Sequence, residues 1–284
     1  MLTYYVNGSY LNKADALISV EDRGFNFSDG VYEVIAFNEK KLLNFNKHIS
    51  RLKKSLGGIS IKSPFFNFKS LELIILHLID LNHLNKGFIY LQITRGSAKR
   101  NHLFPKKVKP NVIIFAFSNK NIDNLLKGVK VGTSEDARWL RCDLKSISLL
   151  PNLLEKQKAY ERGLYEIWQK RDSIITEGST SNAFIVDSSN KILTHPKNNL
   201  ILGGVTRDCV ISLAKKNKIL FEEKAFTMND IKKCKEAFLT STTVGVLPVI
   251  KIDNLIINNK KTGEITKKII NLYNQFLNNQ INEQ

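Results

Sequence analysis

Between Glu177 and Arg207 the chain reads EGSTSNAFIVDSSNKILTHPKNNLILGGVTR, and three features with chemical use follow one another in fixed order. Glu177 precedes the small residues Gly178, Ser179, Thr180 and Ser181, the setting of an acid that faces a ligand rather than solvent. Two short apolar runs, Ala183 to Asp187 and Lys191 to His195, flank the Ser188-Ser189-Asn190 turn and predict a hairpin. Gly203 and Gly204 then lead into Val205-Thr206-Arg207-Asp208, a backbone able to approach an anion at a helix N-terminus.

A carboxylate for a ring nitrogen and a helix end for a phosphate are what pyridoxal phosphate requires. The order E-x-S-x-x-N-A-F, I-L-T and L-G-G-V-T-R resembles the signature of the class IV aminotransferases, the fold-type IV pyridoxal-phosphate enzymes. Four further blocks follow family order: SVEDRGFNFSDGVYE (Ser19 to Glu33), His48 with Arg51 and Leu52, RWLRCDLK (Arg138 to Lys145), and Thr240 to Thr243. The resemblance covers essentially the whole chain and is greatest to the D-amino acid aminotransferase branch. It implies a two-lobed α/β (α+β) fold, a smaller N-terminal α/β domain and a larger C-terminal pseudo-barrel, with pyridoxal 5'-phosphate expected between them.

The resemblance also implies roles. Lys145 would form the internal aldimine; by residue type alone any lysine of this chain could be chosen. A desolvated lysine near a cofactor cation can be neutral near pH 7, as a nucleophile and base must be. Glu177 would hold the proton on the pyridine nitrogen. Arg51, the backbone of Val205 and Thr206, the Thr206 hydroxyl, Ser241 and Thr242 would bind the phosphate, with His48 one helical turn from Arg51 and able to orient it. Tyr32, Arg100 and His102 match the residues that hold the substrate α-carboxylate. Arg100 and His102 lie two apart on an extended segment, so both can point to one side. Arg138 would join the network around the cofactor's phenolic oxygen. The implied activity is that of a D-amino acid aminotransferase, D-alanine plus 2-oxoglutarate giving pyruvate plus D-glutamate by ping-pong kinetics. Alternatives of the same fold are a branched-chain L-amino acid aminotransferase and an aminodeoxychorismate lyase. Leu150, where branched-chain enzymes have tyrosine, and Glu177-Gly178-Ser179, unlike the lyase counterpart, favour the D-amino acid branch. Val244-Gly245-Val246-Leu247 is more apolar than that branch predicts, which leaves side-chain preference open.

These groups need elements to hold them. Tyr4 to Leu11 around Asn7-Gly8 predicts a type I′ hairpin. Helices are expected at 46–56, 68–84, 149–162 (ending at Gly163, a C′ cap), from Thr206 as cap to about Lys216, and along Ile265, Ile269, Leu272, Tyr273 and Phe276. Phe88 to Thr94 alternates, with Ile89, Leu91 and Ile93 on one face and Tyr90 and Gln92 on the other. Val112 to Phe117 reads as a buried strand by its continuous apolarity. Further strands are expected near Val129 to Val131 and at Tyr165 to Gln169. Ser118 to Lys127 is the linker candidate, dividing an N-terminal domain, 1–120, with the carboxylate and phosphate-clamp residues, from a C-terminal domain, 121–284, with the lysine.

The chain has 284 residues, 43% hydrophobic and 24% charged, ordinary globular material for one large or two modest domains. Its formal net charge of +17 raises nucleic acid as a partner, but the lysines fall in scattered pairs rather than on one helix, so none is expected. A non-catalytic basic binding protein is the remote alternative. No apolar run approaches the roughly 18 residues of a membrane span, and no signal-peptide core opens the chain. Three cysteines, Cys142, Cys209 and Cys234, show neither pairing nor metal-ligand spacing and point to a cytoplasmic protein with free thiols and no metal. Small-molecule D-amino acids and 2-oxo acids, with a second copy in a homodimer, are the partners the family implies.

Overall fold

The computed structural model describes residues 2–118 and 123–282, and it divides into two compact units. The expected 120/121 boundary lies outside the described residues. One difference from the expected division is clear: Leu144–Ser148, the peptide carrying Lys145, packs with the first unit.

The first unit contains β1 (Thr3–Val6), β2 (Ser9–Asn12), α1 (Arg23–Phe27), β3 (Gly30–Asn38), β4 (Lys41–Leu42), α2 (Phe45–Gly58), α3 (Phe68–Leu81), β5 (Lys86–Thr94) and β6 (Asn111–Ser118). Its antiparallel sheet runs β2-β1-β6-β5-β3-β4. Asn7 and Gly8 both have positive φ, as the type I′ turn demands. The period of two puts Val31, Ile35, Leu91, Ile93 and Ile114 on one face, packed with Leu52, Leu71 and Leu78 of α2 and α3. Two expectations need correction here. The second helix stops at Leu81, because the Asn82 side chain turns back to donate to Leu78 O (2.8 Å) and Thr3 O (2.9 Å). The β6 strand is buried on one face only: Val112, Ile114 and Ala116 enter the core, whereas Phe115 stacks between Tyr4 and Tyr90 on the other face.

The second unit contains β7 (Val129–Glu135), α4 (Leu150–Glu161), β8 (Glu166–Arg171), β9 (Ile174–Gly178), β10 (Asn182–Val186), β11 (Ile192–Thr194), α5 (Val205–Lys216), β12 (Phe221–Glu223), β13 (Phe226–Thr227), α6 (Met228–Lys233), β14 (Glu236–Ser241), β15 (Gly245–Ile252), β16 (Leu255–Ile256) and α7 (Glu264–Asn282). Its curled mixed sheet follows β12-β11-β10-β14-β15-β7-β8-β9-β13, with β16 on β15. The central strands are covered on both faces, so their sequences are almost wholly apolar. Ala183, Ile185, Ala237 and Leu239 pack on one side; Phe184, Val186 and Phe238 pack on the other with Val210 of α5 and Ile269 and Tyr273 of α7. The apolarity of Val246-Leu247 has the same cause, one residue entering each core.

Candidate functional site

In the first unit, Lys145 is fixed through its backbone. Its N–H donates to Ser55 Oγ (3.0 Å) and its carbonyl accepts from Tyr32 N–H (3.0 Å). Ser146 bridges Val31, so the lysine peptide lies beside β3 as a short extra edge. The neighbouring Leu144 side chain needs a glycine at position 58, where a Cβ would meet it at 2.4 Å. With its backbone held, the Lys145 side chain places Nζ 4.0 Å from the centroid of the Tyr32 ring, itself stacked on Tyr90 at 5.7 Å.

Arg51 projects from α2 onto Glu33 of β3 as a bidentate pair, Nε to Oε1 at 2.7 Å and Nη2 to Oε2 at 2.8 Å. His48 Nδ1 reaches the same carboxylate at 2.8 Å. His48 and Arg51 therefore do share a helix face, and Glu33 fixes both. Burial pushes the Glu33 carboxyl up, but the Arg51 guanidinium and the His48 hydrogen bond outweigh it and hold it well below the usual range. Burial holds the His48 ring below its ordinary value despite Glu33. Both shifts have one sign for stability: the unfolded chain binds protons more readily. Stability contributed here is present at neutral pH, and falls first as pH drops below 6.5 (His48) and then below 4.5 (Glu33). Glu33→Ala leaves Arg51 without its carboxylate in a buried setting and is expected to cost about 3–5 kcal/mol. Urea unfolding at pH 7 checks it; a second series at pH 4.5 and pH 3 should show that the variant has lost the part of the acid sensitivity that lies below pH 4.5.

Arg100 and His102 lie on the exposed segment between β5 and β6 and meet at one ring. Arg100 Cζ is 4.9 Å from the Phe27 centroid, and the His102 ring centroid is 5.5 Å from it. Tyr32 has no recorded polar or ring contact with either among the described residues.

In the second unit, Glu177 is the penultimate residue of β9, with 5% of its surface exposed. It accepts from Arg138 Nη1, from Asn182 Nδ2 (2.9 Å) and from Leu202 N–H (3.0 and 3.1 Å to the two oxygens). Arg138 also grips Asp136 at 2.9 and 2.8 Å, and Arg171 reaches Asp136 at 3.1 Å. The Arg138 guanidinium thus lies between two carboxylates, Glu177 and Asp136. Burial raises Asp136, but Arg138 and Arg171 outweigh that and bring it to about 2. Burial raises the Glu177 carboxyl to about 7, against the pull of Arg138 and the Leu202 N–H. Glu166, wholly buried behind the Gly178–Ser181 turn, accepts from the Ser181 hydroxyl and from Thr180 N–H (3.2 Å) and Oγ1 (3.1 Å).

Helix α5 begins at Val205 with Gly204 as its N-cap and no side-chain cap. Thr206 is therefore not the cap; it lies in the first turn, its hydroxyl 3.4 Å from Tyr273 Oη. A Cβ on Gly204 would lie 2.0 Å from Asn182 Oδ1, so this glycine lets the helix start approach the Glu177 network. Ser241 ends β14, its hydroxyl 3.1 Å from Thr243 Oγ1, and Thr242 sits in the turn to β15.

Sequence reasoning missed Glu33, Asp136 and Asn182, and did not foresee that Arg138 pairs with Asp136 and Glu177. Glu33 had a readable signal: on β3 the inward positions 31, 33, 35 and 37 are Val, Glu, Ile and Phe. A carboxylate in that series demands a buried cation.

The family described as amino-transferase class IV matches residues 30–252. A D-alanine aminotransferase of Bacillus licheniformis is 39% identical over 93% of this chain and 93% of its own length. One from Staphylococcus haemolyticus is 36% identical over 98% of each. Among solved structures, an Escherichia coli branched-chain amino acid aminotransferase superimposes with a TM-score of 0.91 at 22% identity, over 97% of this chain and 94% of that one. At that identity the likeness is one of fold.

Proposed function

The chain belongs to the class IV aminotransferases, and from that premise we propose that it moves the amino group of a D-amino acid to a 2-oxo acid. The observation that carries the D-specific reading is the near-full-length similarity, at 36–40% identity, to proteins named D-alanine aminotransferase. D-Alanine and 2-oxoglutarate are the proposed pair. The fold is that of fold-type IV enzymes and the activity that of a pyridoxal-phosphate transaminase.

The residues present fit the cofactor. Glu177 offers a buried carboxylate to a ring N–H, and the start of α5, free of any side-chain cap, offers backbone donors to a dianion. Lys145, Arg51, Glu177, Val205, Thr206, Ser241 and Thr242 are proposed to hold it. When bound, pyridoxal phosphate supplies an electron-accepting ring that stabilises negative charge developing at the substrate Cα. Lys145 Nζ is the proposed nucleophile and then the base that takes the Cα proton. Glu177 holds the proton at the ring nitrogen, and Arg138, Asn182 and Leu202 N–H hold Glu177. Arg51 neutralises phosphate charge, while Glu33 fixes its orientation.

Tyr32, Arg100 and His102 are proposed to take the substrate carboxylate and so to decide which enantiomer presents its Cα–H to Lys145. Leu150, the first residue of α4, is 66% exposed and places no aromatic ring where branched-chain enzymes have tyrosine. The test is spectral: D-alanine should convert the aldehyde form of the bound cofactor to the amine form, and L-alanine should not. A preference for L-alanine would move the protein to the branched-chain group. Pyruvate release from aminodeoxychorismate without a 2-oxo acid would make it a lyase. A homodimer in cytoplasm belongs to the same proposal.

A further inference from the structure

We infer that Phe27 is the positioning residue of the carboxylate trap, holding Arg100 and His102 ready through its aromatic face. The inference rests on the proposed role of Arg100 and His102. Phe27 is the last residue of α1, the short helix capped by Asp22, whose carboxylate accepts from Gly24 N–H (2.8 Å) and Phe25 N–H (3.2 Å). The same Asp22 accepts from Thr94 Oγ1 and Asn111 Nδ2, both at 2.6 Å, so the helix is tied to β5 and β6. The ring is thus presented by anchored backbone.

Around that ring two guanidinium groups have different states. Arg23 Cζ lies 4.7 Å from the Phe27 centroid, is 3% exposed, and pairs with Asp29 at 2.8 Å. Its charge is compensated. It also donates to Asn101 O (2.6 Å), and Arg95, bidentate on Asp29, places Cζ 3.5 Å from the Phe104 ring. The backbone between residues 100 and 102 is therefore pinned, and the Phe104 ring beyond them is held. Arg100 and His102 differ: both are exposed, and among the described residues neither has a hydrogen-bond or ion-pair partner. Their recorded contact is Phe27. A guanidinium is drawn to the negative face of an aromatic ring without using its N–H donors, so Arg100 is ordered and its fork stays open for a carboxylate. Ordering a long side chain ahead of binding removes a cost that binding otherwise bears.

Steady-state kinetics of the holoenzyme with D-alanine and 2-oxoglutarate test this in F27L, F27Y and R100A. F27L keeps apolar bulk without the ring face. It is expected to raise KM for both substrates about three- to five-fold, the range of a ring–cation contact at an exposed site, with kcat within about two-fold. F27Y, which keeps the face, should restore KM. Unchanged KM in F27L, equal losses in F27L and F27Y, a kcat loss without a KM change, or an F27L protein that does not fold would each make Phe27 a packing residue and overturn the inference. R100A separates the two ideas. KM unchanged in R100A sinks the trap reading, and this inference with it; KM raised in R100A but unchanged in F27L leaves the trap standing and overturns only the role of the ring.

Discussion

Lys145→Ala is expected to reduce turnover by about four orders of magnitude or more, the upper range for a positioned general acid–base, with loss of the nucleophile added. The fold should survive it. What ties position 145 to its surroundings is main chain, N–H to Ser55 Oγ and carbonyl to Tyr32 N–H, and alanine keeps both. The truncation removes an amine resting on a half-buried tyrosine, a contact worth about 0.5–2 kcal/mol. Activity and stability should therefore separate: almost no turnover, with a thermal midpoint within a few degrees of the wild type. Borohydride treatment of the wild-type holoenzyme followed by digestion should place a pyridoxyl group on the Lys145 peptide, and the variant should carry none there. Substantial turnover in K145A, or a pyridoxyl group on a different lysine of the wild type, would remove the proposed nucleophile.

The legible parts of this chain were those whose cause is local. The Asn7-Gly8 turn, the Gly163 helix end and the alternation of β5 follow from φ preference and period, which neighbouring residues suffice to express. The Glu177-to-Arg207 block could be read because its carboxylate, hairpin and helix start are consecutive. Thr206 was misplaced by two residues because a threonine before an apolar run looks like a cap, whereas Gly204 supplies the extended residue that actually precedes α5. The protein partners of Arg138 were not legible because strand register sets them: Asp136 is two residues away, but Glu177 arrives through β8 and β9. Phe115 was read as core because continuous apolarity does not say whether a second face is covered. Glu33 belongs to neither group. Its inward position on β3 was written in the sequence, but its meaning depended on α2 delivering Arg51 and His48 to the same point.

Glu177→Gln is expected to lower kcat by about 10²–10³-fold, the usual loss when one preorganised charge-stabilising group is removed. Its more specific mark is in the pH dependence of stability without cofactor. Burial raises the Glu177 carboxyl from 4.5 to about 7 in the folded chain, so the folded state binds this proton more tightly than the unfolded one. Stability from this group is therefore complete below pH 4.5 and is lost as pH rises through about 7. The loss is about 3 kcal/mol at about 1.4 kcal/mol per pH unit. Glu33, Asp136 and His48, all held below their ordinary values, push the other way, so the raw profile mixes opposing slopes. Subtracting the E177Q profile cancels them, because glutamine does not titrate and the other groups remain. The difference between wild type and variant should decline from pH 4.5 to 7 in the apoprotein. It should flatten in the holoenzyme, where a ring N–H gives the carboxylate a cationic partner. Urea unfolding of both proteins, with and without pyridoxal phosphate, measures it. Parallel apoprotein profiles across that window would mean that Arg138, Asn182 and the Leu202 N–H already keep Glu177 ionised, and the acid would then need no cofactor to hold its charge.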